Sequence, residues 1–357
     1  MSTKYDKPAD LTAVQAKMEA QKIAFSAMAF EATVSMLRLG ILRGVSDAGR
    51  QGISSNQLAS DLNLSEYGVR VLLDMGLAMK LVWKNDDRYT LDKTGHFLLE
   101  DDMTRININF AQDVCYDAMS QLTASIQNGA PEGLKVFGEW PTIYRGLPQL
   151  PEPAKSSWFA FNDYYSKSAF PQALPIVFAT RPSRLLDVGG HLGAWALECI
   201  GHDPDVHVTI ADLPEQIESA RQIIAENDAG QRIDTHECDL LDPQLQFPDR
   251  VDTIWMSQLL DCFSEDQISE ILRRAASSMD ADDSLFVLEL FWNCQKYDAA
   301  AYSINATSLY FTCLANGVSR MYHSQDIIRL AESAGLRLIA QHDNLGIGNS
   351  LLHLQKA

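Results

Sequence analysis

Residues Leu185-Leu186-Asp187-Val188-Gly189-Gly190-His191-Leu192-Gly193 read as an apolar strand running into a glycine-rich turn that opens a helix. Glycines there let the backbone approach a ligand lying over the carboxyl end of the strand. Three acids narrow the ligand. Asp212 closes the next apolar run, 19 residues after Gly193. That is close to the roughly 20 residues at which a carboxylate accepts hydrogen bonds from ribose hydroxyls. Asp239 closes the following run in Cys238-Asp239-Leu240, where an acid can meet an adenine amino group. Asp187 stands just before the glycines, where a carboxylate suits an ammonium and would repel a pyrophosphate. A ligand meeting these groups has a ribose, an adenine and a cationic end, but no phosphate.

The run from Asp187 to Gly193, with Asp212 and Asp239, resembles the S-adenosylmethionine (SAM) site of class I methyltransferases. The whole chain resembles the plant-type (caffeic acid/hydroxyneurosporene-like) small-molecule O-methyltransferases and their bacterial branch. Phe161-Asn162-x-x-Tyr165-Ser166 is similar to the family's Phe-Asn-x-x-Met-Ser segment, and Ile327–Gly335 resembles its late helix. The resemblance implies an α/β chain: a C-terminal Rossmann-like class I methyltransferase domain behind a mainly α, winged-helix dimerisation domain. It also implies SAM as cofactor, S-adenosylhomocysteine as product, and a homodimer. Ser166 and Gly189 would hold the methionine part, with Asp187, Gly190, His191 and Gly193 forming the rest of the turn. Asp212 and Leu213 would hold the ribose, and Asp239 and Leu240 would border the adenine. Ser257 replaces a family lysine, and His191 replaces a third glycine; histidine tolerates a left-handed backbone better than most residues do.

At the reacting end the family uses a histidine to accept the proton of the substrate hydroxyl. Here the segment is Met256-Ser257-Gln258-Leu259-Leu260-Asp261-Cys262-Phe263, with Asp261 at the histidine position. The family's supporting glutamate, 28 residues on, falls on Glu289; a second one is lost in Gly317-Val318-Ser319-Arg320. A carboxylate near 3.9 is a poor base for a phenol near 10, although burial beside another acid raises it. Three readings stay open. Asp261 deprotonates a phenol or enol and the methyl goes to oxygen, the favoured reading. Alternatively, the hydroxyl activates an aromatic ring and the methyl goes to carbon. In the third reading the site binds SAM without methylating, as in a winged-helix regulator. Asp261 could instead cap the helix starting at Ser264, and His323 is either a reserve base or a solvated loop residue. Trp158, Phe161, Tyr164, Tyr165, Phe291, Trp292, Tyr310, Phe311 and Tyr322 fall in segments that face substrate in the family. Of these Phe161, Tyr165, Trp292 and Phe311, with His323, are the expected contacts for an aromatic substrate. No metal-ligand spacing is present.

The elements that must carry these residues follow from periodicity. Residues 11–46 read as long helices whose apolar residues (Phe25, Met28, Phe30, Val34, Met36) point in several directions, so a partner subunit would cover them. Ser54 or Ser55 caps a second helical stretch and Ser65 a third. Asn85-Asp86-Asp87 then turns a hairpin, which completes a winged-helix order. Residues 128–157 are rich in Gly and Pro, and a helix is expected from Ser157. From Arg184 onward, short apolar strands alternate with helices at Ala194–Ile200, Glu215–Glu226, Glu265–Met279 and Ser324–Ala334. This is the pattern of a parallel, doubly wound sheet. The expected domains are 1–110 for dimerisation, 111–175 as a helical connector and 176–357 for SAM binding and catalysis.

The 357 residues are 46% hydrophobic and 21% charged with a net charge of −18, values of an ordinary globular chain. The first 110 residues hold 13 basic and 14 acidic side chains, leaving 16 basic and 33 acidic for the remainder. A polyanion would be repelled, and the third helix lacks a basic excess, so nucleic acid is not an expected partner. Six scattered cysteines without a C-x-x-C pair, a polar N-terminus and no long apolar run point to a cytoplasmic protein without membrane contact.

Overall fold

The computed structural model describes Tyr5, residues 7–248 and residues 250–357. Two compact units meet at Val114 and Cys115. This boundary lies a few residues beyond the expected 110, and the connector from Cys115 onward folds with the C-terminal unit.

In the N-terminal unit, three helices (Ala13–Ala24, Ser26–Arg38, Ile41–Asp47) precede a short strand β1 (Ile53–Ser54). Helices Ser55–Asp61 and Glu66–Ala78 follow, then the wing strands β2 (Val82–Asn85) and β3 (Arg88–Leu91). Ser54 and Ser65 cap their helices by accepting from the Gln57 and Gly68 amides. The wing turns at Asp86, whose φ of +53° is the left-handed conformation a tight hairpin needs. β1 and β2 flank β3 in an antiparallel sheet over a core of Met36, Ile41, Leu42, Leu58, Val69 and Leu73. The first helix has no buried residue: Val14 is 80% exposed and Ile23 75%; in the second helix Met28 is 69% exposed. Arg70, on the helix Glu66–Ala78, pairs with Glu66 at 3.8 Å.

The C-terminal unit is built on seven strands in the order β6-β5-β4-β7-β8-β10-β9. These are β4 (Arg184–Val188), β5 (His207–Asp212), β6 (Ile233–Glu237), β7 (Thr253–Ser257), β8 (Ser284–Glu289), β9 (Leu336–Leu345) and β10 (Asn349–Lys356). The first five are parallel, with Asp187 opposite Ile210 and Trp255 in register. β10, which the sequence pattern did not reveal, runs antiparallel between β8 and β9, so the sheet is mixed. The strand order reverses between β4 and β7, and the crevice at the carboxyl ends there is where open α/β sheets take ligands. The helix expected from Ser157 starts at Ala154 and ends at Lys167; a second, Phe170–Phe178, begins where Pro171 suits a helix start.

Two apolar layers sandwich the sheet. One holds Leu186, Ile254, Met256, Val287 and Leu352; the other holds Leu185, Ile210, Trp255, Phe286 and Leu351. In the second layer the Trp195 and Trp255 rings stack at 3.9 Å, with the Phe170 ring edge-on to both. Trp255→Ala is expected to remove about 3–5 kcal/mol of stability, read by chemical denaturation, because a fully buried ring leaves a cavity that the sheet cannot close.

Candidate active site

The turn after β4 is shaped by backbone conformations few residues accept. Gly189 has φ +73°, and a Cβ there would lie 2.6 Å from Leu259. A Cβ on Gly190 would lie 2.6 Å from the Asp187 carboxylate, so glycine is what allows that acid to be buried. His191 adopts φ +50°, in line with the expectation from its residue type. Its amide donates to Asp212 Oδ2 at 2.8 Å, and the Leu213 amide donates to Asp212 Oδ1 at 2.7 Å. These bonds set the carboxylate at the end of β5. Its pKa is still raised, because burial outweighs the two amides. The His191 ring stacks on Phe159 at 5.9 Å, and burial lowers its pKa.

Asp187 is 2% exposed and its Oδ2 has no hydrogen-bond partner. Burial, and then the nearby Asp212 charge, push its pKa up to about 8. A carboxyl group left orphaned in the interior is costly unless a ligand satisfies it. Ser257 Oγ and His191 Nε2 are likewise buried without partners. Ser166 donates to the Asn162 carbonyl at 2.6 Å and approaches Gln258 Oε1 at 3.4 Å. Asp239 accepts from the Leu241 amide at 2.9 Å and from Arg145 at 2.8 Å. Leu240 is buried beside it.

Beyond β7 the chain makes one tight turn, Leu260–Cys262, that carries Asp261. Asp261 does not cap the following helix: Ser264 does, in a capping box with Gln267. The carboxyl is 6% exposed, and burial pushes it up to about 6. The Cys262 thiol donates to its Oδ1 at 3.4 Å. Glu289, at the end of β8, holds the same turn: its Oε1 accepts from the Leu259 and Leu260 amides at 3.0 and 2.8 Å. Burial, and then the Asp261 charge, raise the Glu289 carboxyl well above the ordinary range. Burial and their mutual repulsion thus disfavour ionisation of both acids at once.

Residues 171–337 match the O-methyltransferase domain, and residues 17–89 match a Dimerisation2-like domain. Residues 171–337 are thus an O-methyltransferase domain, and the chain is a SAM-dependent methyltransferase. The methyltransferase is 22% identical to the L-tyrosine C(3)-methyltransferase of Streptomyces lavendulae over 296 residues, 82% of this chain and 79% of that protein. Its fold is similar to that of the S-adenosylmethionine-dependent methyltransferase SibL in its apo form (TM-score 0.72, 22% identity, 94% of this chain and 98% of that one). It is also similar to that of the mitomycin 7-O-methyltransferase MmcR (TM-score 0.69, 19% identity, 96% and 98%).

The residues around the glycine turn of the methyltransferase fit SAM, the cofactor of the family. The orphaned Asp187 oxygen matches an ammonium, the glycine cradle admits a close ligand, and Asp212 retains free lone pairs for ribose hydroxyls. The expected aromatic wall is only partly assembled. Trp158 donates to the Tyr310 hydroxyl at 2.7 Å, with Phe311 edge-on to Tyr310 in a π-helical turn. Phe161 and Tyr165 lie against each other at 4.7 Å. Phe291 and Tyr322 belong instead to the core beneath β7 and β8. His323 is placed as the N-cap of the last helix and not as a free loop residue. Its Nδ1 accepts from the Gln325 amide to cap the last helix, while its ring meets Trp292 edge-on at 5.1 Å.

Sequence reasoning missed four residues. Gln258, at φ +48°, donates to the Tyr165 carbonyl at 2.8 Å and ties the helix Ala154–Lys167 to the end of β7. Asn316 donates to the Cys262 carbonyl at 2.7 Å, bracing the Asp261 turn from the loop that has lost the family's second glutamate. The buried Tyr144 hydroxyl lies against Cys262. Arg145 pairs with both Glu215 and Asp239. No short motif marks any of them; the orphan position of Gln258 immediately after an apolar strand was the one available signal.

Proposed function

We propose that this methyltransferase moves a methyl group from SAM to a hydroxylated aromatic small molecule, at the ring carbon beside the hydroxyl. The observation that carries the reading is the match over most of this chain to a carbon-methylating relative, with Asp261, a buried carboxyl raised to about 6, at the position of the family's histidine. Bound SAM supplies an electrophilic methyl group on a sulfonium. Asp187, the glycine turn and Ser166 would hold its amino-acid end, Asp212 and Leu213 its ribose, and Asp239 and Leu240 its adenine. Complete proton transfer from a phenol near 10 to a base near 6 is uphill by about 5 kcal/mol. Accepting a hydrogen bond from the hydroxyl asks less of Asp261. It raises electron density at the neighbouring ring carbon, and the proton later lost from that carbon is acidic enough for a weak base. Glu289 keeps the Asp261 turn in place. Phe161, Tyr165, Trp292 and Phe311 would flank the ring.

A relative that methylates the C3 carbon of a phenolic amino acid, matched over most of its length, supports the carbon reading. The O-methyltransferase domain match favours a second reading, transfer to the hydroxyl oxygen with Asp261 as full base. Incubation with methyl-labelled SAM and a panel of phenols, tyrosine among them, followed by carbon NMR, separates the two. An aryl-methyl resonance is expected; a methoxy resonance establishes the second reading, and no labelled product defeats both.

The exposed apolar helices of the N-terminal unit and its match to a dimerisation domain support a homodimer. The six free cysteines are in keeping with a cytoplasmic setting. Among the described residues no helix is long and apolar enough to cross a membrane.

A further inference from the structure

The one-turn helix Ile143–Gly146 carries two consecutive side chains that reach opposite ends of the crevice. The Tyr144 hydroxyl is buried against Cys262, next to Asp261. Arg145 turns the other way. Its Nη1 donates to both oxygens of Glu215 at 3.0 and 3.1 Å, and its Nη2 donates to Asp239 Oδ2 at 2.8 Å. The segment has little freedom, because the Trp140 ring fills the space where a Cβ on Gly138 or Gly146 would stand, 2.7 and 2.2 Å away.

We infer that Arg145 is a positioning residue for the adenosine end of the cofactor, fixing the Asp239 carboxylate so that it reads the exocyclic amine of adenine. The inference rests on the SAM-binding reading and deepens it. Asp239 has one oxygen on the Leu241 amide and the other on Arg145, which together select one orientation of the carboxylate. Each oxygen keeps a second lone pair for a ligand donor. Without Arg145 the side chain, 41% exposed, would rotate and hydrate. Glu215, in the first turn of the helix after β5, would then repel Asp239 with nothing between them. The guanidinium fork suits this task because it meets two carboxylates in fixed geometry, which an ammonium does not. Pairs this exposed add little to fold stability, so the effect belongs in binding.

The test is calorimetric titration of S-adenosylhomocysteine and S-inosylhomocysteine, which lacks the exocyclic amine, into the wild type, R145Q, R145K and D239N. The wild type is expected to prefer the adenosyl compound. R145Q should lose about three- to tenfold in affinity for it and most of the preference, leaving inosyl binding unchanged, and R145K should recover part of both. A purely structural role would weaken the two ligands alike, and that result overturns the inference. Wild-type affinity and preference in R145Q overturn it as well, as does an intact preference in D239N. Failure of the wild type to bind S-adenosylhomocysteine at all would instead remove the cofactor reading on which the inference stands.

Discussion

Asp261→Asn is expected to lower kcat by about 10²–10⁴-fold while leaving S-adenosylhomocysteine affinity within about twofold of wild type. The substitution keeps the shape of the side chain and removes its charge. The turn should survive, because its backbone is held by Glu289 and Asn316 and not by the Asp261 side chain. The pH profile gives the same residue a second signature. The group must be ionised to accept a proton or a hydrogen bond from the substrate hydroxyl. Burial raises it to about 6, so turnover should rise with pH through about 6 and then level off. The asparagine variant should lack that limb. Undiminished turnover in Asp261→Asn, or an unchanged acid limb, would exclude Asp261 as the acceptor.

The parts of this molecule that the sequence made legible are those coded locally. The β4 turn could be read because an apolar strand, its glycines and the start of a helix are contiguous. Asp212 could be read because one crossover separates it from Gly193. The winged-helix order showed for the same reason, through the Ser54 and Ser65 caps and the Asp86 turn. The capping alternative for Asp261 could have been dismissed, since Ser264-x-x-Gln267 is itself a capping-box signature. Residues whose role depends on distant partners gave no sign. Arg145 lies 70 positions from Glu215 and 94 from Asp239, in a stretch of glycines and prolines without periodicity. The contact of Gln258 with Tyr165 spans 93 positions. β10 escaped because its only cue is a hairpin through Gly346 and Gly348 near the end of the chain, where an apolar run is easily taken for a tail.

The affinity for S-adenosylhomocysteine should rise about tenfold between pH 6 and pH 7 and flatten above pH 8, provided Asp187 meets the ligand ammonium. The free protein buries this carboxyl with one oxygen unpartnered, and burial raises it to about 8. Below that value the group carries a proton, and each pH unit of deprotonation costs about 1.4 kcal/mol of binding. Asp212, the charge nearest to it, is also raised, and Cys199 beside it stays a neutral thiol throughout. The free protein should respond in the opposite sense. Its folded state holds the Asp187 proton more tightly than the unfolded chain does, so stability is greatest below the ordinary carboxyl range and declines as pH rises through about 8. Bound ligand reverses that decline, because the ammonium favours the ionised acid. The rise in melting temperature caused by S-adenosylhomocysteine should therefore grow from pH 6 to pH 8. In Asp187→Asn both trends should vanish, and affinity at pH 8 should fall about 10²-fold, the order expected when a buried charge pair loses one member. Affinity that is level across this range in the wild type would mean that the ammonium does not meet Asp187, and that the orphaned oxygen is satisfied by another part of the ligand.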